Sequence, residues 1–191
     1  MLMQRILTLT STASARDILH VGVAVACMAL AANVSMRIPK SPVPVTGQTV
    51  VVVAAAILLG PTKATISVVI YLLAGALGVP VFAGGASTTA LAGPTAGYLL
   101  AFVPAAWLVG RASASAWTRS MIGTIGLALL AHAGILLAGS LTLGLFIGMT
   151  SAWTYGIAPF INGSVVKSAL VGLLACSFRS QFTGDCSYGP R

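Results

Sequence analysis

Acidic side chains are nearly absent: Asp17 and Asp185 are the only two in 191 residues. Charged residues of both signs make up 6% of the chain, whereas a soluble domain of this size carries about a quarter. A coat that faces water on all sides is therefore excluded, and with 58% hydrophobic residues the chain reads as an all-α integral membrane protein. The shortage of acids also removes the groups for a Ser/His/acid triad and for paired-carboxylate acid–base catalysis, so enzyme mechanisms start far behind. Cysteine is equally uninformative. Cys27, Cys176 and Cys186 show no CxxC or zinc spacing and read as small apolar filler plus one tail thiol, so neither a metal nor another cofactor is expected. No phosphate loop is present, because "GPTKAT" at 60–65 has the wrong spacing. Any ATP used must be hydrolysed by another chain.

What is abundant is apolar sequence. Apolar stretches at about 18–36, 45–59, 64–79, 95–109, 122–138 and 165–178 give six expected membrane helices in one domain, several of them short of the roughly 20 residues that a perpendicular helix needs. The mixed segment 140–159 is expected to hold a partial helix over one membrane face. Six spans put both termini on one side, with Arg5, Arg16, Lys63, Arg111, Arg119, Arg179 and Arg191 there and only Arg37 and Lys40 opposite. Seven against two places both termini in the cytoplasm by the positive-inside rule. The net charge of +8 is scattered, without aromatic-interleaved basic runs, so it fits orientation and anionic lipid rather than nucleic acid. The first span has the outline of a secretory signal, but removing it would leave five spans and spoil the charge count. That span also carries small residues four apart, Gly22 with Ala26 and Cys27 with Ala31, a spacing that lets a partner helix approach or serves as ordinary filler.

Two loops opposite the termini are unusual. "RIPKSPVPVTGQT" at 37–49 places prolines before Thr46 and Gln48, which predicts a rigid, non-helical approach to span two. "GVPVFAGGASTTALAGPTAGY" at 78–98 is glycine-rich, and irregular backbone near membrane depth must be buried in protein or line a cavity. Thr95 and Asn162 are expected helix caps; Tyr71 and Tyr98 suit an interfacial belt or the site equally, and mid-span His132 reads as a packing histidine. Lys167 is the exception in "PFINGSVVKSAL" at 159–170. With Asn162 as cap it sits about 7 Å below the helix start, on one face with Ser164 and Ser168. It snorkels outward, or, with no acid of its own chain on that side, it loses its proton, meets water or binds an anion in an outer cavity.

These residues carry a resemblance. "SPVPVTGQT" at 41–49, "LLG" at 58–60, "YLLAGALGVPVFAGG" at 71–85, "GPTAGYLLAF" at 93–102 and "PFINGSVVKSAL" at 159–170, in that order, closely resemble the BioY family, the biotin-binding S components of energy-coupling factor (ECF) vitamin importers. The resemblance covers roughly residues 24–175. It implies the six-helix S-component fold with both ends cytoplasmic, a pocket for biotin open to the outside, and location in a bacterial or archaeal cell membrane. It implies further that small residues of the first helix dock to a transmembrane coupling subunit driven by two ATPase subunits; whether transport needs them, and whether the carrier forms a homo-oligomer, the sequence leaves open. The candidate ligand residues are Thr46, Gln48, Tyr71, Phe82, Gly84, Gly85, Thr95, Tyr98, Asn162, Ser164 and Lys167. Two departures stand out: the family usually has Asp three residues before the lysine, where this chain has Ser164, and the loop after Gly85 reads "ASTTALA" instead of glycine-rich sequence. The alternatives are a carrier for a biotin-related vitamin or precursor, such as a biotin relative with an altered ring, and a non-transporting membrane interaction protein that kept the fold.

Overall fold

The computed structural model describes residues 14–183. It is a helical bundle, and four of its helical stretches are long and apolar enough to cross a membrane: Ala15–Asn33, Gln48–Ala76, Met121–Ile147 and Met149–Arg179, with the shorter apolar Ala96–Ala112 beside them. Helix α1 (Ala15–Asn33) buries Ala24, Met28 and Ala32 at four-residue spacing, which is one stripe of a helix turned to the bundle. A two-residue antiparallel pair follows, β1 (Ser35–Met36) against β2 (Val45–Thr46). The apolar run expected to begin a helix at 45 therefore begins one only at Gln48, after this strand pair.

Helix α2 (Gln48–Ala76) is two helices in one. Gly60 has φ 79° and ψ 176°, outside helical space, and Pro61 follows it. Gln48 and Tyr71 lie 23 residues apart yet are hydrogen bonded; along one straight helix they would be about 34 Å apart at about 1.5 Å per residue. The chain thus reverses at Gly60–Pro61, and the two halves run side by side, as the separate apolar stretches at 45–59 and 64–79 predict. Lys63, just past the turn, binds Asp17 at 2.5 Å and ties the start of α1 to it.

The glycine-rich loop contains one short helix, α3 (Thr88–Leu91), before α4 (Ala96–Ala112). Ser120 caps α5 (Met121–Ile147) by accepting a hydrogen bond from Gly123 N at 3.1 Å. Helix α5 runs nine residues beyond the expected end at 138. Its late hydroxyls are satisfied within the helix: Ser140 Oγ donates to the Leu137 carbonyl and Thr142 Oγ1 to that of Ala138. Gly148, at φ 83°, ends it. Helix α6 (Met149–Ala152), a π-turn at Trp153–Ile157 and a 3₁₀ turn at Ala158–Phe160 lead directly into α7 (Ile161–Thr183). Among the cysteines, Cys27 is a free exposed thiol and Cys176 is disulfide-bonded, which corrects its reading as apolar filler; Cys186 lies outside the described residues.

The core is small and tight. Met28, Val52, Val53, Tyr71, Phe82, Leu143 and Val171 are fully buried, while Leu58, Ile66, Leu73, Leu108, Leu130, Leu141 and Val166 stand exposed on the outer helix faces. An apolar exterior of this kind is suited to lipid, not water.

Candidate functional site

One cavity of about 460 Å³ opens where α1 ends, under the β1–β2 loop and the glycine-rich loop. Four segments build it: the proline-rich stretch through Thr49, the loop at Phe82–Thr95, the facing sides of α4 and α5, and the start of α7. Its volume falls within the range of about 300–1,000 Å³ usual for small-molecule sites. The wall is mostly apolar, supplied by Val43, Phe82, Leu99, Phe102, Ile135 and Phe160.

Several polar groups on it are held by neighbouring side chains and carbonyls. Helix α7 presents Ser164 and Lys167 to the cavity at i and i+3, and Lys167 Nζ donates to Thr49 Oγ1 at 3.3 Å. Behind them Ser168 is fully buried and donates to the Ser164 carbonyl at 2.7 Å. Gln48 begins α2; its Oε1 accepts from Thr46 Oγ1 at 2.9 Å, and its Nε2 donates to the Tyr71 hydroxyl. Tyr71 in turn donates to the Val81 carbonyl at 2.8 Å and meets Phe82 edge to face, with centroids 5.2 Å apart. The Phe82 ring lies over Gly75, where a Cβ would come within 2.1 Å of it. Tyr98 spends its hydroxyl on the Gly156 carbonyl at 2.9 Å and stacks at a tilt on Phe160, leaving ring surface for the cavity.

Of the residues expected from sequence, Thr46, Gln48, Phe82, Gly84, Thr95, Tyr98, Ser164 and Lys167 line the cavity together. Three do not. Tyr71 stands behind the wall, fully buried, as the support for Gln48 and Val81. Gly85, with φ 74°, does not line the cavity, although its neighbours Gly84 and Ala86 do. Asn162 is exposed and is the second residue of α7, not its cap, because the π and 3₁₀ turns feed the backbone into the helix without a break. Thr95 lacks a capping bond as well, since its hydroxyl donates to the Ala90 carbonyl at 2.9 Å. On α1, Gly22, Ala26 and Cys27 are exposed, whereas the Ala31 carbonyl accepts from Gly47 N at 3.2 Å and packs inside the chain.

The model of the BioY family matches residues 4–184. The chain belongs to the BioY family. Similar proteins include the probable biotin transporter BioY of Pyrococcus horikoshii, 35% identical over 162 residues that cover 84% of this chain and 94% of the relative. The biotin transporter BioY of Thermotoga maritima is 32% identical over 168 residues, again 84% and 94%. Among solved structures, the S-component for biotin from an ECF-type ABC transporter superposes with a TM-score of 0.78 over 90% of this chain and 95% of that one, at 22% identity. That likeness establishes the S-component fold.

This BioY-family cavity also contains residues that sequence reasoning did not select. Arg37, an exposed cation, lines it from the proline-rich stretch; its signal was its place beside Thr46 and Gln48, but it was counted only toward orientation. Thr49 lines it too and holds Lys167. His132 reaches it from the middle of α5, and an apolar helix gives a histidine no sequence mark beyond its rarity.

Proposed function

We propose that this chain is the biotin-binding S component of an ECF-type vitamin importer, a substrate-binding membrane protein and not an enzyme, and that the cavity is its biotin site. One observation carries the reading. Two cations, Arg37 and Lys167, line an apolar cavity, while Asp17, the sole acid among the described residues, is bound to Lys63. A ligand with one carboxylate, an apolar tail and a small polar ring matches such a surface at every part. Uncompensated cations at a half-buried site call for an anion or strong acceptors from the ligand. Isothermal titration of the detergent-solubilised protein with biotin is expected to give saturable one-site binding, unchanged in Arg111→Ala, whose side chain lies against Trp107 away from the cavity. Heat release indistinguishable from buffer at micromolar biotin would sink the biotin reading.

The finer parts of the function follow from the same reading. Both termini lie in the cytoplasm of a bacterial or archaeal cell, the cavity opens outward, and the exposed Gly22–Ala26 face of α1 is where a transmembrane coupling subunit with its two ATPases docks. What supports this is the charge count given above and the exposure of the small residues Gly22, Ala26 and Cys27 on that helix. Thiol labelling tests both points. A membrane-impermeant maleimide is expected to label Lys40→Cys in intact cells, and Cys27 of the solubilised carrier is expected to lose labelling when the coupling subunit is bound. Labelling of Lys40→Cys only after lysis reverses the orientation, and Cys27 labelling that ignores the coupling subunit removes the docking face.

A further inference from the structure

His132 is 2% exposed, yet it lines the cavity. Its Nδ1 lies 2.8 Å from the Ala128 carbonyl oxygen and 3.0 Å from Ser168 Oγ. A carbonyl only accepts, so Nδ1 carries the hydrogen. Ser168 has given its own hydrogen to the Ser164 carbonyl, so it too offers the ring a lone pair. The tautomer is thereby fixed, and in the neutral imidazole Nε2 is an acceptor. That nitrogen is buried and has no partner among the described residues. Thr65 Oγ1 is also buried without a partner, but Thr65 does not line the cavity. Buried polar atoms are nearly always paired, and one left unpaired in a residue that lines a cavity points to a ligand.

We propose that His132 is a ligand-contacting, specificity-determining residue whose Nε2 accepts a hydrogen bond from a ring N–H of the ligand, in biotin a ureido N–H. The inference rests on the biotin reading above and assigns which end of the ligand goes inward. A lone pair at Nε2 repels a carboxylate and suits a donor. Ser168, which holds the ring, is the residue after Lys167 on α7, so the acceptor of His132 and the donor of Lys167 share one corner of the cavity. A cyclic urea offers N–H and C=O side by side and is read by such a pair. No carboxylate stands on α7 to take the N–H, because position 164 is serine. The ligand carboxylate then falls to Arg37, the exposed cation at the rim, where it keeps part of its hydration.

Two substitutions separate this role from packing. In His132→Asn the amide nitrogen takes the place of Nδ1 and keeps the Ala128 bond, but nothing reaches the Nε2 position. In His132→Gln the longer amide presents its oxygen there. Calorimetry is expected to show biotin binding weakened at least about 10-fold in His132→Asn and largely restored in His132→Gln, since a site built for an N–H donor is sensitive to its pairing. Biotin methylated on both ureido nitrogens is expected to bind the wild type at least about 10-fold more weakly than biotin does, and to gain no further penalty in His132→Asn. The proposal is overturned if His132→Asn, with an unchanged melting temperature, binds biotin within about twofold of the wild type. If that variant unfolds early, wild-type binding of the methylated ligand as tight as that of biotin overturns it equally. Absence of biotin binding by the wild type is a different result: it removes the biotin reading itself, and this assignment with it.

Discussion

Replacing Lys167 by glutamate is expected to abolish biotin binding, and Lys167→Ala to weaken it steeply. Losing one partner of a buried charged hydrogen-bonded contact costs about 2–5 kcal/mol, or about 30-fold to several thousand-fold in affinity. Glutamate adds a second effect, since it sets a carboxylate beside the Ser164 and His132 corner of the cavity and so inverts the charge the ligand meets. Lys167→Arg is expected to recover only part of the binding. Its planar fork cannot replace a compact ammonium held at 3.3 Å from Thr49. The competing account is a lysine whose ammonium snorkels to the outer interface and never meets ligand. Under that account Lys167→Ala binds biotin within about twofold of the wild type, and that calorimetric outcome would falsify the ligand-facing role.

The second large effect concerns stability. A Cβ on Gly110 would lie 2.5 Å from both Cα and N of Pro61 and 2.8 Å from C of Gly60. These are main-chain atoms of the turn that reverses α2, so no rotamer change can relieve the contact. Gly110→Ala must push α4 away from α2, and overpacking of this kind costs about 1–3 kcal/mol or more. In thermal unfolding followed in detergent, the melting temperature is expected to drop by several degrees. Gly134→Ala is the opposite control: it is exposed in the middle of α5, and a Cβ there meets nothing within 4 Å, so removing a helical glycine is expected to stabilise by about 0.5–1 kcal/mol. Equal melting temperatures for wild type and Gly110→Ala would show that the two helices separate at no cost and that the close crossing is not a constraint.

Sequence reading succeeded where one local signal had one physical meaning. Gly60–Pro61 breaks an apolar run that is otherwise uniform, and the chain does reverse there. Prolines at 39, 42 and 44 kept the approach to Gln48 out of helix. It failed where polarity was neutralised locally. Ser140 and Thr142 looked like the end of a span, yet they return their hydroxyls to carbonyls one turn back and let α5 run on to Ile147. Val45 looked like the start of one, yet it pairs with Met36 in a strand. Asn162 was read as a cap because caps are recognised by residue type, whereas the π-turn that makes a cap unnecessary is a property of backbone geometry. At the site, the residues in distinctive motifs were legible. His132 was not, because its role depends on a tautomer set by Ala128 and Ser168, and Ser168 lies 36 residues away on another helix.

The pair formed by Asp17 and Lys63 has a meaning beyond fastening α1 to the turn of α2. Asp17 stands at the start of α1, and the cavity opens past its other end, about 25 Å away at about 1.5 Å per residue. The sole fixed negative charge among the described residues is thus neutralised at the far end of the molecule. At the mouth stands Arg37, with no acid among the described residues beside it. An approaching anion therefore meets a field of one sign that points it inward, stronger in dilute salt and weaker as ions screen it. With Asp17 held so far from the opening, nothing among the described residues cancels that field at the mouth.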